Sequence, residues 1–174
     1  MTSLFTMKES KKRGCWRMQL HPGEAKIAAF HAAQSLLAGF IGLDFETNVG
    51  DLLRPGFKQQ ELPKKHRKYW AFAHEMDIDD RVLVSVHHFP FALVTVAGEY
   101  NYIREPVPQI GVWFRHFRRI EDVRFYADEL TNIKKWEPIS MTDAIEPLRN
   151  PQSQSFRLIQ EWLGNPNRGA QKLR

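Results

Sequence analysis

Residues 81–98 read RVLVSVHHFPFALVTVAG, and this stretch decides the fold. Arg81 to Val86 and Ala92 to Ala97 are two apolar, β-branched runs of strand length, joined by His87 to Phe91 as a tight hairpin. A hairpin makes neighbouring strands antiparallel, so a meander is expected around it. Asp77 to Asp80 forms the turn that enters it. Beyond Gly98 come GEYNYI, the proline-broken REPVPQ, and a strand from Ile110 to Phe117 rich in aromatics. Arg118 to Leu130 reads as turn and short helix, and KWEPIS (135–140) as a weak last strand. Thr142 to Leu148 and Phe156 to Leu163 read as short helices separated by the polar NPQSQS.

Upstream, Trp16 to Leu20 alternates like a strand and stops at the turn His21-Pro22-Gly23. Glu24 to Leu37 repeats Ile27, Phe30, Ala33, Leu36 and Leu37 at helical spacing, with Gly39 placed as its C-terminal cap. GFIGLDF (39–45) is a second strand; 46–63 is an irregular connector, and 64–74 a helix carrying Tyr69, Trp70 and Phe72. Strand, helix, strand, connector and then several consecutive strands predict an α+β fold. Its sheet is curled, largely antiparallel and barrel-like, with helices packed against it. Curling removes exposed edges. The division expected is a flexible basic lead-in at 1–14, a domain at 15–148, and a C-terminal helix and frayed tail at 149–174.

The 174 residues suffice for one domain with a real core. A hydrophobic share of 43% and a charged share of 26% exclude general disorder. A net charge of +5 suits a polyanionic partner. The single cysteine, Cys15, excludes an internal disulfide and a cysteine zinc cluster, and suits a reducing cytoplasm. No run reaches the roughly 18 apolar residues of a membrane helix, so no membrane partner is expected.

Candidate chemistry gathers in two sets. Five tryptophans include Trp16 and Trp113 on expected strands, while Tyr100 and Tyr102, two apart, share a strand face. Such rings either fill a core or build a slot in which a flat base stacks. Lys58, Lys64, Lys65, Arg67 and Lys68 cluster in the connector, and Arg115, Arg118, Arg119 and Arg124 around WFRHFRR. Arginine forks suit phosphate, and interleaved rings and cations suit nucleic acid; the bland alternative is a solvated face. Catalysis is poorly supported: HExxH, GxSxG, P-loop and GxGxxG patterns are absent, so no catalytic residue, metal or cofactor is expected. Asp44 poses its own question. A carboxylate at the end of a buried strand needs a partner, and it either closes the turn before Glu46 or faces a ligand.

Taken in order, CWRMQL, a helix ending at a glycine, GFIGLDF, RVLVSV, ALVTVAGEYNYI and VWFRHFRRI resemble the EVE-like domain of the PUA-like superfamily, related to YTH, ASCH and SRA domains. The resemblance spans roughly Cys15 to Leu148. It departs from the pattern at HHFPF, where a glycine-containing turn is expected, and in a short connector. It implies a reader that receives a modified base, turned out of its strand, in an aromatic cage. Such domains stand at the N-terminus of predicted modification-dependent restriction proteins, which implies DNA as ligand and a separately encoded effector nuclease or NTPase. On this reading the base pocket is Trp16, Asp44, Phe45, Tyr100, Tyr102 and Trp113. Phosphates fall to Lys64, Lys65, Arg67, Arg115, Arg118 and Arg119. A PUA-like RNA-binding protein and a protein-interaction subunit without a nucleic-acid ligand are the alternatives.

Overall fold

A computed structural model describes residues 13–21, 24–126, 138–139 and 143–164. The fold is α+β. Its strands are β1 (Cys15–Gln19), β2 (Phe40–Leu43), β3 (Arg81–Val86), β4 (Phe89–Val96), β5 (Asn101–Tyr102), β6 (His116–Phe125) and β7 (Ile145–Pro147). They form one sheet in the order β2-β6-β4-β3-β1-β7, with β5 added beside β6. Every pairing is antiparallel except β1 with β3. β2 and β7 end the path, so among the described residues the sheet curls without closing. The helices are α1 (Ala28–Leu37), α2 (Trp70–His74) and α3 (Gln154–Gly164). None is long and apolar enough to cross a membrane.

The sheet has a core on each face, which explains the unbroken apolar run of β3. Val82, Val84 and Val86 join the larger core with Trp16, Met18, Leu36 and Phe72. Leu83 and Leu93 face the other way, under Ile159 and Trp162 of α3. The hairpin is tighter than expected: β4 begins at Phe89, so His87 and His88 alone make the turn, at φ 51° and 67°. Positive φ at both central residues gives the twist that a two-residue hairpin needs, and glycine is its usual occupant. The His87 N–H donates to Nε2 of His21 (2.9 Å), and His88 accepts through its carbonyl from the Ile139 N–H (2.7 Å), which tethers the turn.

Helix α1 ends as expected. Gly39 lies at φ 86°, and its N–H reaches the Leu36 carbonyl at 3.0 Å. Its faces differ from expectation, because Ala28, Ala32, Ser35 and Leu36 are buried whereas Ile27, Phe30 and Leu37 are exposed.

Three expected elements are corrected. Ile110 ends a short 310 helix, 111–115 is turn and loop with one bridge from Val112 to Val107, and the strand runs instead from His116 to Phe125, through the segment read as turn and helix. Its inward positions are held by His116 and Arg118, whose polarity hid the alternation. Residues 64–74 begin as a 310 helix and become α-helical only at Trp70. Ile145 to Pro147 is a strand paired with β1 rather than part of a helix. The strand expected at 135–140 and the lead-in lie almost wholly outside the described residues.

Candidate nucleic-acid interface

β2 stops at Leu43, and the chain turns at Asp44. The Asp44 Oδ1 atom accepts from the Phe45 N–H (2.8 Å) and from Arg115 Nε (2.6 Å). Nη2 of the same arginine donates to the Phe45 carbonyl at 2.9 Å. The carboxylate thus closes its own turn and neutralises a guanidinium, which removes the cost of its position. Its side chain remains 30% exposed, and Oδ2 carries no hydrogen bond among the described residues. Phe45 turns inward, against His66 and His116 (ring centroids 4.9 Å in each case) and Tyr69 (5.4 Å).

His116 is the first residue of β6, opposite Leu43 on one side and Tyr102 on the other, and is fully buried. A hydrogen-bonded relay ties it to the connector: the Leu52 N–H donates to the Tyr100 hydroxyl oxygen (3.1 Å), and that hydroxyl lies 2.7 Å from His116 Nδ1, where either group can donate. Burial, with the neighbouring Arg115 charge, pushes His116 down to about 4. Burial also pushes the Tyr100 phenol well up, so both groups are neutral, as the relay requires. Nε2 has no partner among the described residues, and nor has Nδ1 of the nearby His66. The rings of Phe45 and Tyr102 flank His116, with Tyr102 at 5.2 Å. Tyr102 is half-buried, and its hydroxyl donates to exposed Asn48 Oδ1 (2.9 Å). Aromatic faces, one unpartnered imidazole nitrogen and one carboxylate acceptor are what a planar heterocycle needs for stacking and edge contacts.

The structure brings Asp44, Phe45, Tyr100, Tyr102 and Arg115 into this corner. Lys65 joins through Glu46 (2.7 Å), with exposed Lys64 beside it. Trp16 is elsewhere. Its Nε1–H donates to Asp80 Oδ2 (2.7 Å) within the core, which corrects its placement as a pocket wall. Trp113 stacks on His31 of α1 with centroids 3.9 Å apart, so one face is occupied, and its buried Nε1 has no partner among the described residues. Arg118 is also corrected. It is 1% exposed and donates to the carbonyls of Phe72 (2.9 Å), Gly98 (3.1 Å) and Ala73 (3.3 Å), binding the end of α2 to the sheet. Arg67 folds back on the Leu62 and Gln60 carbonyls, whereas Arg119 points outward. Sequence reasoning missed His116, His66, Tyr69 and Asn48. Only His116 left a signal, as the central residue of WFRHFRR.

Two grooves of about 270 and 280 Å³ flank β7. Glu75, Asp143 and Glu146 line the first with Lys68, and Glu75, Asp77 and Asp80 the second with Arg149, so carboxylates outnumber cations three to one in both and neither suits a phosphate chain. The described residues hold no group of three or more His, Cys, Asp or Glu placed to bind a metal.

No family model matches the chain, and no curated protein matches it. Among solved structures, the chain is similar to the YTH domain of the Zygosaccharomyces rouxii MRB1 protein in complex with N6-methyladenosine RNA. The two share 7% identity over 87% of this chain and 86% of that chain, with a TM-score of 0.45.

Proposed function

We propose that the chain is a non-enzymatic nucleic-acid reader that takes one base at the corner formed by Asp44, Phe45, Tyr102 and His116. The observation that carries this reading is the neutral, buried His116 ring, whose Nε2 lacks a partner among aromatic faces. In this reading Tyr100 donates to Nδ1, and Nε2 carries the hydrogen and donates it to a carbonyl or ring nitrogen of the base. Asp44 Oδ2 accepts from an exocyclic amine, which keeps one N–H after a single methylation. Tyr102, the half-exposed wall, swings to admit the base and stacks on it. Turning a base out costs a few kcal/mol, and stacking returns roughly 1–3 kcal/mol. Arg115, Lys64, Lys65 and Arg119 meet the flanking phosphates. The ordered resemblance to EVE-like domains supports a modified base in DNA and an effector on another protein.

The test is a binding panel of plain, methylated and hydroxymethylated oligonucleotides, as DNA and as RNA, at two salt concentrations. The expected outcome is salt-dependent binding, tightest for one modified DNA. Preference for RNA moves the ligand class and keeps the site. Absence of salt-dependent binding to any of them overturns the reading. It would favour a protein-interaction subunit, which the uncharged apolar face of α1 supports.

A further inference from the structure

Three ring nitrogens are buried without a hydrogen-bond partner among the described residues: His66 Nδ1, Trp113 Nε1 and His116 Nε2. Two of the three belong to rings that pack on Phe45. Each imidazole centroid lies 4.9 Å from the phenyl centroid, and each ring stands nearly perpendicular to it, at 84° for His66 and 88° for His116. The two imidazoles therefore lie within twice that distance of one another, at the corner assigned to the base. An orphaned polar atom in apolar surroundings lowers stability, so each one calls for an explanation. His66 is the only buried residue of the 310 helix Lys64–Tyr69. Tyr69 follows it at the three-residue repeat of that helix, and its ring lies 5.4 Å from both His66 and Phe45. An apolar side chain would fill this place without an orphaned nitrogen, yet an imidazole stands there. Burial and the Lys65 cation push the His66 pKa down, against the pull of Glu46, so at neutral pH the ring is uncharged and holds one hydrogen.

We propose that His66 is a second reading residue of the base site, whose Nδ1 hydrogen-bonds an edge position beyond those met by Asp44 and His116 and thereby selects which base is accepted. The inference rests on the reader assignment above. Base chemistry supplies the need for a third contact. An exocyclic amine beside a ring-nitrogen acceptor occurs in cytosine, at N4 and N3, and in adenine, at N6 and N1. One carboxylate acceptor and one imidazole donor satisfy both bases and do not separate them. The next position along that edge differs, because cytosine presents the O2 acceptor and adenine a C–H. On the other side of the amine, adenine presents N7 and cytosine a C–H. One more polar contact on either side separates the two, since the wrong base leaves His66 buried and unpaired. The same short helix also carries exposed Lys64 and Lys65, assigned to the flanking phosphates, so one turn of chain holds the base on its inner side and the strand on its outer side.

Fluorescence anisotropy of the full chain tests this. The probes are single-stranded oligonucleotides of one sequence with adenine or cytosine at a single central position, plain or methylated on the exocyclic amine. The expected result for the parent is a preference between the two bases of about tenfold, the worth of one hydrogen bond made or missed. His66→Phe keeps a ring against Phe45 and Tyr69. It is expected to lose the preference by weakening the favoured base alone, with thermal unfolding unchanged or raised. His66→Asn places an amide where Nδ1 stands and is expected to keep part of the preference. A parent that binds but takes both bases equally overturns this inference and leaves the reader assignment standing, whereas a parent that binds none of the strands overturns both. A preference that His66→Phe retains, or an equal loss for both bases, assigns His66 to packing and overturns the proposal.

Discussion

Two aspartates end up beside aromatic partners at different corners of the sheet, and they behave differently. Asp80, 5% exposed, precedes β3 and accepts three hydrogen bonds: Gly14 N–H at 2.7 Å, Trp16 Nε1–H at 2.7 Å and Asp77 N–H at 3.0 Å. Those bonds fasten the start of β1 and the 77–80 turn to β3, and both oxygens are occupied. Asp44 leaves β2 with one oxygen engaged and the other open. A saturated, buried carboxylate fixes a fold. A half-exposed one with an open oxygen, beside an unpaired donor, can trade partners with a ligand. Tryptophan alone does not distinguish the two corners, and the number of satisfied lone pairs does.

The largest effect expected from this contrast is in stability. Asp80→Ala leaves the buried Trp16 Nε1–H and two partly buried N–H groups unpaired and should cost on the order of 4 kcal/mol, whereas Asp44→Ala, a partly exposed ion pair, should cost less than about 1 kcal/mol. Denaturant unfolding measures both, and equal losses would break the comparison. Arg118→Met comes next, at about 3 kcal/mol, because three carbonyls lose their donor. Arg119→Met should leave stability alone while lowering the salt slope of oligonucleotide binding by about one. The two adjacent arginines thus repeat the aspartate contrast.

The buried relay predicts a pH effect. His116 titrates near 4 in the fold against 6.5 when unfolded, so the unfolded chain binds more protons below pH 6.5. Stability is complete above that pH and is lost as pH falls towards 4, by up to about 3 kcal/mol. His66 and His21, also pushed down by burial, act in the same direction. Melting temperature against pH reads this loss, and His116→Gln should flatten most of it. Asp44→Asn, like Arg119→Met, should barely change melting, yet it should alter the discrimination between modified and plain bases.

The hairpin around His87, helix α1 with its Gly39 cap, and α3 were legible because local pattern and turn chemistry agree there. β6 was not, since its inward face carries His116 and Arg118, polar groups whose partners come from the connector and from Gly98. Trp16 was expected as a wall of the base pocket, whereas its indole N–H is held by Asp80, 64 residues away, and no spacing rule spans that distance. The apolar repeat of α1 marked a helix but not its inward face, since the residues that are buried are Ala28, Ala32, Ser35 and Leu36. At the candidate corner, Asp44, Phe45 and the tyrosines carried a sequence signal. The neutral state of His116 depends on its burial beside Arg115, and its partners Tyr100 and Phe45 reach it only in the folded chain.

The most direct test of the reader account is the ratio of affinities for a modified and a plain oligonucleotide of one sequence, measured by anisotropy for the parent and for Tyr102→Ala. Loss of one stacking wall is worth roughly 1–3 kcal/mol. The account predicts that the parent prefers the modified strand by about tenfold or more and that the variant loses the preference while still binding both weakly. Equal affinities in the parent, or a preference that Tyr102→Ala leaves intact, would contradict it.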